Sequence, residues 1–246
     1  MKILFRFLLL CTFIILVVVG AISIYVNGNY EADTIVTVAS LISDDDVTVT
    51  KLESNYYVFE PTNATIGLVF YPGGSVEYSA YAPLLREFAS NGILCILIDV
   101  PLNLAILDVN AADNLTSMYP NIEKWYLGGH SLGGVVAADY ASKHLDEFEG
   151  LLLLASYTTV DIHDTDLSVV SIYGSNDEVL NKERYEENKS NLPKNLSEKV
   201  IDGGCHSYFG NYGMQDGDGV PTITREEQFA STITYSLENL FFPVEL

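Results

Sequence analysis

Leu127-Gly128-Gly129-His130-Ser131-Leu132-Gly133-Gly134 is the stretch on which the reading of this chain turns. Ahead of it, Trp125–Gly128 has the apolar character of a short buried strand; behind it, Leu132–His144 reads as a helix. A serine framed as Gly129-x-Ser131-x-Gly133 at such a junction stands on a sharp turn that lifts its hydroxyl above the sheet edge. Glycines flank it because side chains would collide where strand and helix approach so closely. The Leu132 amide, first in the helix, then faces any negative charge developing on a substrate oxygen, with the helix dipole behind it. The bland alternative is a glycine-rich turn without chemistry.

Working outward, apolar runs alternate with helix-like stretches. The strand candidates are Ile66–Tyr71, Ile93–Val100, Trp125–Gly128, Leu151–Ala155, Val169–Tyr173 and Lys199–Ile201. Between and after them lie helix-like segments at Ala80–Ser90, Ala105–Met118, Leu132–His144, Glu178–Asn191 and Arg225–Phe241. Continuous apolar strands imply a sheet covered on both faces, hence a mostly parallel, doubly wound α/β fold. Two alternating segments, Val47–Thr50 and Asn55–Pro61, open the domain as an antiparallel pair.

A serine hydroxyl needs a base. Of the four histidines, His130 adjoins the serine on the packing side, His144 ends a helix, and His163 lies in the acidic loop Asp161–Asp166. His206, in Gly203-Gly204-Cys205-His206-Ser207, follows the last short strand and so reaches the same sheet edge as the serine turn. His163 is the substitute. Asp177 stands after strand Val169–Tyr173, with Glu178 as its neighbouring rival; its alternative role is to cap the helix that follows. The order Ser131, Asp177, His206 is that of a nucleophile, an orienting acid and a base arranged along a doubly wound sheet. A further amide for the oxyanion is expected from Tyr71-Pro72-Gly73-Gly74-Ser75, at Gly74 or Ser75, since Pro72 has no N–H.

From roughly Val47 to Leu246 the chain resembles the α/β-hydrolases. It is most similar to a compact group with a Tyr-Pro-Gly-Gly loop, here Tyr71–Gly74, and a Gly-Gly-x-His-x-x-Phe-Gly motif, here Gly203–Gly210. Members look like dienelactone-hydrolases and esterases. The resemblance implies the triad Ser131, Asp177 and His206, matching the residue-by-residue reading. A proline precedes Gly73 where many relatives carry histidine, and serine replaces the cysteine nucleophile of dienelactone hydrolases proper. Only about a dozen residues join Ala155 to Val169, too few for a lid or cap domain. An open cleft suits short esters or acyl groups on a polymer. The expected activity is a carboxylic-ester hydrolase, with acyl transfer, amide hydrolysis and a non-catalytic binding module as alternatives.

The ends and the charge complete the expectation. Phe7–Val26 is almost wholly apolar, and about 20 such residues rise roughly 30 Å as a helix, the thickness of a bilayer core. Lys2 and Arg6 precede it and Glu31 and Asp33 follow, so the domain is expected outside the cell membrane. A signal peptide cleaved near Ala21 and Ser23 is the competing reading, which would make the protein secreted. The expected organisation is an anchor over 1–27, an acidic spacer over 28–46 that is partly helical at Thr34–Ile42, and one hydrolase domain over 47–246. A net charge of -21 argues against nucleic acid as a partner. No cofactor or metal is expected, because the three cysteines lack metal-ligand spacing and Asp216-Gly217-Asp218-Gly219 reads as a turn without the later ligands of a calcium loop. Cys95 and Cys205 leave a disulfide open beside buried thiols. The partners expected are a small ester or acylated substrate and the membrane; the oligomeric state is not legible.

Overall fold

The computed structural model of the protein describes Thr12 and residues 28–243. An eight-stranded sheet with strand order β1-β2-β4-β3-β5-β6-β7-β8 forms its centre. Strands β1 (Val47–Lys51) and β2 (Tyr57–Pro61) are antiparallel, and β2 joins β4 (Ile93–Leu97) antiparallel. From there β3 (Ile66–Tyr71), β5 (Lys124–His130), β6 (Gly150–Leu154), β7 (Ser168–Gly174) and β8 (Leu196–Ile201) run parallel. Strands β3 and β6 are buried along their whole length, as a sheet covered on both faces requires.

Helix α1 (Thr34–Ser40) precedes the sheet, and α2 (Ala82–Ser90) leads from β3 into β4. The later helices are α3 (Leu132–Ala141), α4 (Lys182–Asn188) and α5 (Arg225–Ser236), the last continued by a π turn at Leu237–Phe241. Two apolar layers result. Phe88 and Phe241 belong to one layer, and Tyr140 and Phe148 to the other. After β3 the chain steps to β4 on one side and then crosses back to β5 on the other. This reversal opens a crevice at the carboxyl ends of β3 and β5, where α/β sheets bind their ligands.

Three expectations need correction. The helix-like stretch Ala105–Met118 forms only single 3-10 turns, at Ala105–Leu107 and Thr116–Met118. Ala105, Ala112 and Leu115 are buried there while Ile106, Leu107 and Met118 stay exposed, so turns suffice to cover the sheet. Glu178–Asn191 contributes a helix only from Lys182, capped by the Asn181 side chain. The stretch expected as a spacer is stitched to the domain. Tyr30 donates its amide to Ser75 and accepts one from Glu77, Asp33 donates to the Asn211 carbonyl, and Arg86 binds the Ile42 carbonyl and the Asp44 carboxylate.

The apolar run Phe7–Val26 lies outside the described residues, apart from Thr12. Among the described residues no helix is long and apolar enough to cross a membrane. Cys95 and Cys205 are free and buried, so no disulfide joins them.

Candidate active site at the carboxyl edge of the sheet

Ser131 occupies the turn from β5 into α3 with φ 51° and ψ -122°, a left-handed geometry that a serine adopts only under constraint. The constraint is visible. Its amide donates to the Leu154 carbonyl at 2.9 Å, and its carbonyl accepts the Ser156 hydroxyl at 2.7 Å. Glycine is obligatory nearby: a side chain on Gly133 would meet the Tyr71 carbonyl oxygen at 2.3 Å, and one on Gly129 would meet the Gly133 backbone at 2.4 Å. The Gly-x-Ser-x-Gly pattern is thus a packing requirement between helix α3, its own strand and the loop after β3.

His206 and Asp177 come together from β8 and β7. The Nδ1 of His206 lies 2.9 Å from Asp177 Oδ2, and both side chains are buried. Asp177 Oδ1 accepts the amides of Val179 (2.9 Å) and Leu180 (2.7 Å), so both carboxylate oxygens are engaged. With the carboxylate accepting at Nδ1, that nitrogen carries the proton and Nε2 is left as the basic lone pair. Nε2 is buried with no hydrogen-bond partner. His206 and Ser131 line the same cleft of about 230 Å³, together with Leu132, Val135, Val179 and Leu180.

Asp177 therefore bonds the imidazole and organises its own turn, but it does not cap α4, whose cap is Asn181. Glu178 points to solvent. The other histidines are elsewhere engaged: His163 is exposed beside Asp164, and His144 stacks on Tyr140 at 4.1 Å.

Of the two donors expected in the loop after β3, Ser75 is already committed. Its amide donates to the Asn103 carbonyl at 2.9 Å, while that of Gly73 donates to the Tyr81 hydroxyl at 3.1 Å. Gly74 is left with a free amide, and its α-carbon faces the Leu132 side chain: a Cβ there would lie 3.1 Å from Leu132 Cδ2. Leu132 itself opens α3, where the first amides lack intrahelical partners.

Several residues that shape this edge carry no motif signal. Asp218 accepts from the amides of His206 (3.2 Å) and Ser207 (2.8 Å) and from the Ser207 hydroxyl (2.6 Å). Burial works to raise its pKa, but these donors outweigh it and hold the carboxyl below its ordinary value. The Asp216–Gly219 turn thereby holds the His206 loop from the front. From behind, the buried Gln228 of α5 clamps both the amide and the carbonyl of Cys205, at 3.0 and 2.8 Å. Tyr81 bridges the loop after β3 to the serine turn, its hydroxyl lying 2.8 Å from His130 Nδ1. His130 packs its ring 4.4 Å from that of His206. Burial pushes His130 well below the ordinary histidine value, and neighbouring His206 adds to that, offset in part by the His206 backbone. It is a neutral packing group. Among the described residues, no cluster of side chains could hold a metal ion.

Known proteins share this fold. The chain is similar in fold to a predicted CIB-like hydrolase from Thermoplasma acidophilum (TM-score 0.55, 15% identity, covering 79% of this chain and 99% of that one). It is likewise similar to TT1662 from Thermus thermophilus (0.56, 15%, 78% and 98%) and to Est1E from Butyrivibrio proteoclasticus (0.55, 13%, 80% and 100%). No curated protein matches it. The model of the alpha/beta hydrolase family matches residues 67–230, from the first parallel strand through the first half of α5. A match over that much of the chain, on a sheet of this topology, makes the protein a member of the alpha/beta hydrolase family.

Proposed function

We propose that the protein is a serine hydrolase of carboxylic esters, with Ser131 as nucleophile, His206 as base and Asp177 as the group that orients the base. The observation that carries this reading is the buried Asp177–His206 bond, which leaves a partnerless Nε2 lining the cleft of Ser131. In the first half-reaction His206 Nε2 takes the Ser131 proton as Oγ attacks the ester carbonyl carbon. The oxyanion forms toward the amides of Leu132 and Gly74. Collapse breaks the bond to the alcohol, which leaves with the proton from His206. Water then repeats the sequence on the acyl-enzyme and releases the acid. Asp177 keeps the tautomer correct and stabilises the imidazolium without taking the proton.

The small cleft, with Val135, Val179 and Leu180 in its walls, favours short acyl groups. Acyl transfer or amide hydrolysis would use the same groups, and comparing water with alcohol acceptors separates them. A binding module without turnover is the reading from another class.

The test is a fluorophosphonate probe together with p-nitrophenyl acetate. Ser131 is expected to be labelled and the ester turned over, with Ser131→Ala abolishing both. Asp177→Asn is expected to lower kcat by about 10²–10⁴ while the fold persists. An unlabelled Ser131 in folded protein ends the proposal.

We further propose that Phe7–Val26 anchors the chain in the cell membrane with the domain outside. Its length and the Lys2 and Arg6 flank support this. Retention of the chain in membranes after an alkaline wash is the expected result; release at neutral pH of a chain shortened near Ala21–Ser23 would favour the secreted form.

A further inference from the structure

Helix α1 turns its apolar side outward. Ile35, Val38 and Ile42 are 84%, 52% and 62% exposed, while Thr37 is buried. Spaced three and four apart, Ile35 and Val38 share one stripe of the helix and Ile42 continues it just past the end; Val36, 46% exposed, flanks it. A helix on an ordinary soluble domain buries that stripe.

The orientation is held firmly. Asp33 caps the helix with its side chain and donates its amide to the Asn211 carbonyl, and Ala32 donates to Glu77. At the other end the Arg86 guanidinium holds the carbonyls of Ser40 and Ile42 and the carboxylate of Asp44. Leu41 packs inward on the core. The stripe therefore faces away from the domain through its attachments and not through looseness.

The sequence upstream indicates what covers it. The apolar run ends at Val26, four residues before Tyr30, which is tied to Ser75 and Glu77. Four residues span at most about 14 Å, so the domain cannot stand far from wherever that run is embedded. We propose that the stripe Ile35–Val38–Ile42 lies in the headgroup–acyl boundary of the bilayer that the run enters, an inference that rests on the anchor proposed above. A second copy of the chain fits poorly: four aliphatic side chains cover much less than the roughly 800 Å² per partner of a stable interface. A tethered contact needs little area, because the anchor keeps its local concentration high. With a net charge of -21 on the chain, the contact is apolar and suits a zwitterionic surface. Asn211 lies five residues beyond His206 and Ser75 adjoins Gly74, so the segment that carries the helix is attached to the two loops that also bear on the site.

The experiment uses the full chain at one copy per phosphatidylcholine nanodisc. An environment-sensitive fluorophore is placed at Ile35→Cys or Val38→Cys, and at Lys194→Cys as control, in a Cys11→Ser background; Cys95 and Cys205 are buried. Lipid-borne doxyl groups should quench the first two positions at least about threefold more than the control, with iodide protection in parallel. Equal iodide access at all three sites in a disc-bound chain overturns the docking and leaves the anchor standing. Failure to enter discs overturns both. Protection that needs two chains per disc, or that comes without doxyl quenching, assigns the stripe to a second copy or to the chain's own apolar run and overturns the proposal. Ile35→Glu/Val38→Glu should release the quenching while p-nitrophenyl acetate turnover stays within about twofold.

Discussion

Tyr81 carries more of the site than its absence from any motif suggests. Its buried hydroxyl accepts from Gly73 and meets His130, joining the loop after β3 to the serine turn. The Gly73 N–H and the His130 Nδ1 thus share one phenolic oxygen as their partner. Tyr81→Phe strands two buried polar groups, the Gly73 N–H and His130 Nδ1, and is expected to cost about 2–4 kcal/mol in urea unfolding. It should also slow phosphonylation of Ser131, because the hydroxyl holds the Pro72–Gly73 peptide, the one next to the peptide that carries the Gly74 amide. Unchanged stability would contradict the bridge. Ser131, Asp177 and His206 were legible from sequence because each ends a strand in the required order. Asp218, Gln228 and Tyr81 were not, since they act through backbone amides and carbonyls that any polar side chain can bind.

At the scale of elements, the approach of α3 to the loop after β3 is a joint that only glycine permits. A methyl group at Gly133 would enter the space of the Tyr71 and Pro72 carbonyls, at 2.3 and 2.4 Å, and backbone cannot yield as a side chain can. Gly133→Ala is expected to destabilise by more than about 3 kcal/mol and to abolish Ser131 labelling in whatever remains folded. The His206 loop offers a contrast. Asp218→Ala frees the amides of His206 and Ser207 at a partly exposed position, so kcat should fall about tenfold or more with a smaller loss of Tm. A rise in KM alone, with kcat intact, would mean that the turn only shapes the rim. Elements such as β3 and α5 were readable from their periodicity. The 105–118 stretch was not, because its apolar residues divide: turns alone bury Ala105, Ala112 and Leu115, while Ile106, Leu107 and Met118 stay exposed.

Across the whole molecule, the buried neutral His130 links stability to pH. The unfolded chain accepts a proton near 6.5, whereas the folded protein, with this group held well below that value, does not. Stability is therefore full above that pH and is lost as pH falls through about 6.5 toward the folded-state value, at up to about 1.4 kcal/mol per unit. Urea midpoints between pH 8 and 5 should show that slope, and His130→Gln should flatten it; an equal slope in both proteins would place the proton elsewhere. What the amino-acid order determined by itself was the class of fold and which serine, aspartate and histidine reach the carboxyl edge of the sheet, because apolar runs and strand ends are local properties of the chain. Which loop amide remains unspent, how the acidic stretch folds back onto the domain, and that α1 shows solvent its apolar side were decided only in three dimensions. Each depends on partners from 8 to 178 residues away, and a hydrogen bond made outside the local repeat leaves no trace in the local pattern.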